Sequence, residues 1–138
     1  MTAPVVYISF PGTAAEALTF YQGIFGGELA LFTYEEFNRT DGPPTAIAHG
    51  ELRGPISISG SDAAEGEASV RVEGLLLSLL GTAEPEVLHE WFNKLAEGGS
   101  TLDPLVVRPW GGSDGQVTDT YGLRWLIGYE AATTSTSN

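Results

Sequence analysis

The chain contains no cysteine, so disulfide bonds, thiolate nucleophiles and cysteine-type zinc sites are excluded. Basic residues are also scarce: six lysines and arginines stand against eighteen acidic residues, and the formal net charge is −12. The basic residues are scattered, whereas binding to phosphate groups requires clustered Lys and Arg. We therefore expect neither a nucleic-acid partner nor an anionic membrane partner.

Long apolar runs are absent as well. No segment approaches the roughly 18 apolar residues of a membrane helix, and residues 1–10 lack the basic segment and apolar core of a signal peptide. These features predict a cytoplasmic protein that does not bind membranes. With 138 residues, the chain is long enough to bury a stable core without covalent crosslinks.

One pattern occurs twice in the chain. Segments 20–27 and 92–99 each begin with phenylalanine and end with a glycine pair, and in each copy a helix-like stretch follows a strand-like apolar run. The repeat predicts a first module at 1–60, a linker at 61–69, a second module at 70–130 and a disordered tail at 131–138.

Each module reads as a strand, a helix and three further strands. In the first module we expect strands at 5–10, 28–33, 45–52 and 55–60, with a helix from Thr13 to Phe25. In the second we expect a strand within 70–80, a helix beginning near Thr82, a turn at 111–115, and strands at 101–110, 116–120 and 123–130.

Three local signals refine this assignment. Thr13 and Glu16 have the spacing of a capping box, and Thr82 is a candidate N-cap shortly before a proline that suits a first helical turn. Pro104 predicts that its strand is either interrupted or lies at a sheet edge, because proline cannot donate a hydrogen bond within a central ladder.

Two βαβββ modules in one short chain resemble the vicinal oxygen chelate superfamily, which includes glyoxalase I, extradiol dioxygenases and the bleomycin and fosfomycin resistance proteins. Segments 20–29, 47–52, 61–62 and 110–125 are similar to its PhnB-like branch. The resemblance implies an α+β fold in which the modules form a curved, half-barrel mixed sheet with a shared groove. It also implies a small organic ligand and a homodimer.

Metal-dependent members of that superfamily hold a divalent ion with His, Gln or Glu side chains in the groove. The resemblance places the ligand positions at Val6 or Tyr7, near Ser57, within residues 75–77 and at Leu126. None of these residues is a good ligand for such an ion. We therefore expect no metal. We also expect no other cofactor, because the chain has no Gly-rich strand-to-helix loop of the kind that binds an adenosyl cofactor.

His49 and Glu51 are the strongest polar pair. At positions i and i+2 of a strand, both side chains project from the same face, so the carboxylate could orient the imidazole as in a general-base pair. They are the candidate catalytic residues. The alternative interpretation is a structural pair on an outer face or at a dimer contact.

Aromatic rings and hydroxyl groups supply the other candidate contacts, because together they suit an organic molecule. The residues predicted to bind ligand in the groove are Tyr7, Ser9, Ser57, Ser59, Trp110 and Trp125. Core packing explains any one aromatic residue as well. We interpret His89 as exposed and Asp119 as a turn-forming residue.

Three functions fit these observations. The first is a small-molecule-binding protein of the glyoxalase/bleomycin resistance type without the usual metal site. The second is a metal-independent enzyme, such as an isomerase or lyase, in which His49 and Glu51 carry out proton transfer. The third is a structural or regulatory dimer without a ligand.

Overall fold

The computed structural model describes residues 3–132. The chain divides into two compact units, Met1–Arg71 and Val72–Asn138. Most of the predicted tail lies outside the described residues. Within the described range, no helix has both the length and the apolar character needed to cross a membrane.

The first unit contains one helix and a four-stranded sheet. Its elements are β1 (Val6–Phe10), α1 (Ala14–Phe25), β2 (Glu28–Thr33), β3 (Ile47–Arg53) and β4 (Ile58–Asp62). The strand order is β1-β4-β3-β2, with β1 parallel to β4 and the other neighbours antiparallel.

The second unit repeats this topology. Its elements are β5 (Leu77–Leu80), α2 (Pro85–Ala96), β6 (Ser100–Val107), β7 (Ser113–Thr118) and β8 (Arg124–Tyr129). The order β5-β8-β7-β6, with β5 parallel to β8, matches that of the first sheet. The predicted α+β fold of two βαβββ modules is confirmed. The groove shared by the modules stays a prediction.

Helix α1 packs on one face of the first sheet. It buries Leu18 above Gly50, where an added Cβ would come within 2.7 Å of the leucine side chain. Because side chains alternate along a strand, the intervening positions point away from the helix. We call the surface that they form, carrying Tyr7, Ser9, Phe32, His49, Glu51, Arg53, Ser59 and Ser61, the helix-free face.

Both helices begin differently from the sequence prediction. Thr13 occupies the N-cap position of α1, but its side chain makes no capping hydrogen bond. The backbone N–H of Ala14 instead donates to Oδ1 of Asp62, 2.8 Å away, so the predicted capping box is wrong. A buried carboxylate from a distant strand takes its place.

Helix α2 has Glu84 at its N-cap and Pro85 at its first position, so the prediction that Thr82 caps it is wrong. The physical reason is the proline, which favours an extended conformation in the preceding residue and therefore ends the non-helical segment at Glu84. The backbone of Glu84 is indeed extended, with φ −63° and ψ 149°.

The hairpin of β6 and β7 also differs from the prediction. Strand β7 begins at Ser113, so the predicted turn at 111–115 is too long. Gly115 belongs to the strand, where an added Cβ would lie 2.6 Å from the Leu105 backbone. The glycine therefore marks a close approach of two strands and not a turn. Pro104 lies on edge strand β6, as predicted.

Candidate functional site

Four polar side chains form a continuous chain of hydrogen bonds on the helix-free face of the first sheet. The hydroxyl of Tyr7 lies 3.0 Å from Nδ1 of His49, and Nε2 of His49 lies 3.0 Å from Oε1 of Glu51. The other oxygen of Glu51 pairs with Nε of Arg53 at 2.5 Å. The predicted His49–Glu51 pair is thus in contact, and Tyr7 and Arg53 extend it.

The strand register explains why these residues meet. Glu51 is paired with Ser59 across β3 and β4, and Ser59 is paired with Tyr7 across β4 and β1. The small serine leaves space above the middle strand. Tyr7 and His49 meet although β4 separates their strands.

The acceptor capacity of each group sets the direction of the hydrogen bonds. An ionised carboxylate can only accept, so Nε2–H of His49 donates to Glu51. In the neutral imidazole, Nδ1 then has a lone pair and accepts the hydroxyl proton of Tyr7. The arrangement is that of a carboxylate that orients a base, with a phenol as the next proton donor.

The same contacts shift the ionisation of Glu51. Its hydrogen bond with His49 lowers the pKa of Glu51 below the ordinary value, and the neighbouring Arg53 guanidinium lowers the pKa further, while partial desolvation opposes both effects. Glu51 therefore stays ionised at mildly acidic pH. The ionised carboxylate of Glu51 accepts the proton of Nε2–H and so holds the imidazole in one tautomer.

Aromatic rings flank His49 on the same face. The Tyr7 and Phe32 rings lie 5.7 and 6.3 Å from the imidazole, with interplanar angles of 19° and 17°. Phe37 stacks on Phe32 in turn, at 5.7 Å and 27°. Phe37 is half exposed, with 50% of its surface accessible. The four rings form a near-parallel row, which we call the aromatic row.

A local clasp holds the end of this row. The carboxylate of Glu36 accepts hydrogen bonds from both the backbone N–H and the hydroxyl of Thr33, at 2.9 and 3.0 Å. These bonds lower the pKa of Glu36, so the clasp persists into acidic conditions. It fixes the turn that carries Phe37.

The predicted serine contacts lie in different environments. Ser59 and Ser9 are half-buried members of β4 and β1 on the helix-free face. Ser57 precedes β4 and is exposed, so it is not a strand residue. Their roles in ligand binding stay predictions.

The two predicted tryptophans belong to the second unit. Trp125 is only 1% exposed, and its indole N–H donates to Oδ2 of Asp119 at 2.8 Å, so the ring is a core element. Asp119 also accepts the backbone N–H groups of Tyr121 and Leu123, which fits a turn-forming residue. Trp110 is 73% exposed and lines a cavity of about 740 Å³.

The remaining histidine is less exposed than the sequence suggested. His89 is half-buried, and its Nε2 lies 2.7 Å from the Tyr129 hydroxyl. The interpretation of His89 as exposed is wrong because β8 places a hydrogen-bonding partner beside the helix.

The helix-free face does not fit a divalent metal. Across residues 3–132, no three His, Cys, Asp or Glu side chains are grouped so that they could hold a metal ion. Tyr7, at one of the expected ligand positions, is hydrogen-bonded to His49, and Glu51 is shared between His49 and Arg53. The absence of a metal in the working protein stays a prediction.

Sequence reasoning missed Arg53, Phe32 and Phe37. Phe32 lies opposite His49 in the β2–β3 register, and Glu28 lies opposite Arg53. Pairing segment 28–33 against 47–53 would have placed Phe32 and Arg53 on the same face as His49. Phe37 lies in a turn, where no periodic signal exists.

Known proteins share this fold and sequence pattern. A family model described as the Glyoxalase/Bleomycin resistance protein/Dioxygenase superfamily matches residues 6–127. Protein YjdN of Escherichia coli (strain K12) is 29% identical, over 88% of this chain and 90% of YjdN.

Solved structures add to the comparison. Protein PA1353 of Pseudomonas aeruginosa is 29% identical, with a TM-score of 0.79 over 96% of this chain and 100% of PA1353. The PhnB protein of Bacillus cereus is 22% identical, with a TM-score of 0.76 over 95% of this chain and all of that one. At that identity the likeness shows the fold alone.

Proposed function

Because the chain belongs to the glyoxalase/bleomycin resistance protein/dioxygenase superfamily, we propose that it binds a small organic molecule on the helix-free face of its first sheet. The observation that supports this proposal most directly is the Tyr7–His49 hydrogen bond within a row of aromatic rings. Polar groups set into an apolar, aromatic surface are typical of sites for organic ligands.

The two kinds of side chain have separate roles. The rings of Phe32 and Phe37 offer apolar contact and stacking to a flat part of the ligand. The Tyr7 hydroxyl can exchange its bond to His49 for one to a polar ligand atom. Affinity then comes mainly from the rings, and orientation from the phenol and imidazole.

Metal chelation is not part of the proposal. The family's metal-dependent members use side chains that donate to a divalent ion, and the residues expected at those positions here are apolar or hydroxyl-bearing. Every step of recognition is therefore assigned to the side chains of this chain.

The test is ligand-observed NMR against a library of aromatic fragments. Fragments that bind the wild type should bind His49→Ala or Phe32→Ala at least several-fold more weakly. The matched control is His89→Ala, which removes the only other histidine and should leave binding unchanged. If every binding fragment tolerates His49→Ala and Phe32→Ala, the ligand does not occupy this face.

A second candidate function is proton-transfer catalysis, which the order Glu51, His49, Tyr7 supports. The Tyr7 oxygen would take a proton from an acidic C–H of the substrate as the phenol passes its own proton to Nδ1 of His49. The resulting imidazolium is stabilised by the ionised Glu51. Return of the proton to another substrate carbon would complete an isomerisation.

Solvent deuterium incorporation distinguishes catalysis from binding. A panel of small ketones in deuterated buffer should exchange C–H protons faster with wild type than with Tyr7→Phe, His49→Ala or Glu51→Gln. General acid–base catalysis typically contributes about 10²- to 10⁴-fold, so the loss should be easily measured. Ligand binding without any C–H exchange would support only the first function, ligand binding.

A structural or regulatory dimer without a ligand is the remaining proposal. It would be favoured if no fragment binds while the protein is dimeric.

The cytoplasmic location proposed above is checked by fractionation of cells that express the protein.

A further inference from the structure

We infer that the cavity of the second unit is a separate binding site for an organic cation. It goes beyond the function proposed for the first sheet, because residues of the second unit alone form it. The lining is Leu80, Gly81, Trp110, Gly112, Ser113, Asp114, Tyr129, Glu130 and Ala131, around about 740 Å³. That volume suits a ligand of drug or metabolite size.

The hairpin between β6 and β7 presents Trp110 to this cavity. The backbone N–H of Arg108 donates to the carbonyl of Gly112 at 2.7 Å, and that of Gly111 donates to the carbonyl of Arg108 at 2.9 Å. Gly111 has φ +99°, a conformation that glycine adopts without strain. Two hydrogen bonds and one glycine thus fix the turn that carries the indole.

The base of the hairpin is equally fixed. The Arg108 guanidinium pairs with Asp114 at 2.7 Å and with Asp103 at 2.8 Å, and it also donates to the Asp114 carbonyl at 2.9 Å. These contacts raise the pKa of Arg108 above its ordinary value. The indole that this hairpin carries is 73% exposed, so a large ring face is available to a ligand.

Charge determines which ligand fits. The lining includes two carboxylates, those of Asp114 and Glu130, and no Lys, Arg or His. Arg108 neutralises only one of the two aspartates that it contacts, and Glu130 has no basic partner among residues 3–132. The site therefore carries net negative charge beside an indole face.

An ammonium or quaternary ammonium group suits this combination. Indole gives the strongest cation–π attraction of the aromatic side chains, and the carboxylates add Coulomb attraction. Leu80, which is 52% exposed, offers apolar contact for the rest of the molecule. The net charge of −12 further concentrates cations near the surface.

Gly112 leaves room for the Trp110 indole at the edge of the cavity. Its φ is not in the left-handed region, and an added Cβ would lie 3.3 Å from the indole Nε1 and 3.4 Å from the Tyr129 carbonyl oxygen. Gly112→Ala is therefore compatible with the backbone, but it crowds the indole. This substitution should weaken binding without unfolding the protein.

The experiment is titration with benzyltrimethylammonium, benzyl alcohol and benzoate, followed by tryptophan fluorescence and calorimetry at low salt. Trp91 and Trp125 are 7% and 1% exposed, so Trp110 provides the responsive signal. We expect the quaternary ammonium to bind, the alcohol to bind about tenfold more weakly, and benzoate not to bind. Trp110→Ala should abolish calorimetric binding, and Gly112→Ala should reduce it several-fold.

Two glutamate variants separate local charge from overall charge. Glu130→Gln should weaken ammonium binding about three- to tenfold, whereas Glu97→Gln removes the same charge from an exposed position at the end of α2 and should not. The inference would be overturned by any one of three results. These are no binding of the quaternary ammonium, equal binding of all three probes, or an unchanged affinity in Trp110→Ala. None of these results depends on His49, so the function proposed for the first sheet is tested separately.

Discussion

Nε2 of His49 lies 3.0 Å from Oε1 of Glu51, two positions along the same strand. The contact arises because both side chains project from the helix-free face, where the carboxylate can reach the edge of the imidazole. Arg53, two positions further, contacts the other oxygen of Glu51. One carboxylate therefore joins a base to a fixed positive charge.

The first prediction concerns the ionisation of Glu51. The hydrogen bond with His49 is the main cause of its lowered pKa, so His49→Ala should raise the pKa of Glu51 toward the ordinary value. Arg53→Ala should raise it less. Titration of the side-chain carboxyl carbon by NMR measures both, and Glu36, held by Thr33, is the internal control. An unchanged Glu51 pKa in His49→Ala would contradict the geometry.

The same shift predicts how stability depends on pH. The folded-state pKa of Glu51 is lower than that of the unfolded chain, so its contribution is complete above the unfolded pKa and is lost as the pH falls through the folded value. Acidification should therefore destabilise the wild type more than His49→Ala. Urea denaturation of both proteins across this acidic range measures the difference.

The second prediction concerns the start of α1. Asp62 is 5% exposed and accepts the backbone N–H groups of Ala14 and Ile47, both at 2.8 Å. Asp62→Ala leaves two backbone donors without this acceptor and should lower the free energy of unfolding by roughly 2–4 kcal/mol. Thr13→Ala is the matched control and should cost less than about 0.5 kcal/mol, because Thr13 makes no cap.

Urea denaturation should be followed through amide NMR signals of the first unit, because all three tryptophans lie in the second. If Asp62→Ala and Thr13→Ala lower the free energy of unfolding equally, then Thr13 caps the helix after all. Asp41→Ala offers a further comparison, since its ion pair with Arg39 is solvent-exposed and its loss should lower the free energy of unfolding much less than Asp62→Ala does.

The third prediction is that the protein is a homodimer. Each sheet, taken by itself, ends in two edge strands, and the edge residues Val6 and Tyr7 of β1 are 41% and 53% exposed. Unpaired edges with apolar side chains favour association, and twofold dimers are the commonest outcome. Light scattering at micromolar concentration should give about twice the chain mass of 14.6 kDa. A monomer at that concentration would remove the prediction.

Local periodicity was sufficient to predict both helices and the succession of the eight strands along the chain. The apolar stripe Leu88, Trp91, Phe92 and Leu95 is the buried face of α2, as its spacing predicts. The cap of α1 was not predictable in this way, because Asp62 acts on a backbone group 48 residues earlier in the chain. Such a contact depends on strand register, which periodicity does not give.

The candidate site was predictable only in part, for the same reason. The i, i+2 spacing predicted that His49 and Glu51 share a face. The Tyr7 contact could not be predicted, because it crosses an intervening strand and depends on a serine at the middle position. Trp125 was predicted to line the groove, yet the alternation of side chains along β8 places it on the buried side of that strand.

The last prediction contrasts two glycines of the first unit. Gly60 pairs with Ile8 across β4 and β1, and an added Cβ would come within 2.5 Å of the Ile8 carbonyl oxygen and 2.7 Å of the Phe10 ring. Gly60→Ala should therefore force the strands apart and lower the free energy of unfolding by about 1–3 kcal/mol.

Gly23 is the matched control within the same unit. It lies in the exposed part of α1, and an added Cβ would meet nothing within 4 Å. Gly23→Ala should raise the free energy of unfolding by roughly 0.5–1 kcal/mol, because alanine loses less conformational entropy in a helix. Opposite signs in urea denaturation would support the packing of β1 on β4. If Gly60→Ala leaves the free energy of unfolding unchanged or raises it, the strands around Gly60 have room for a methyl group, and the close contact with Ile8 and Phe10 is wrong.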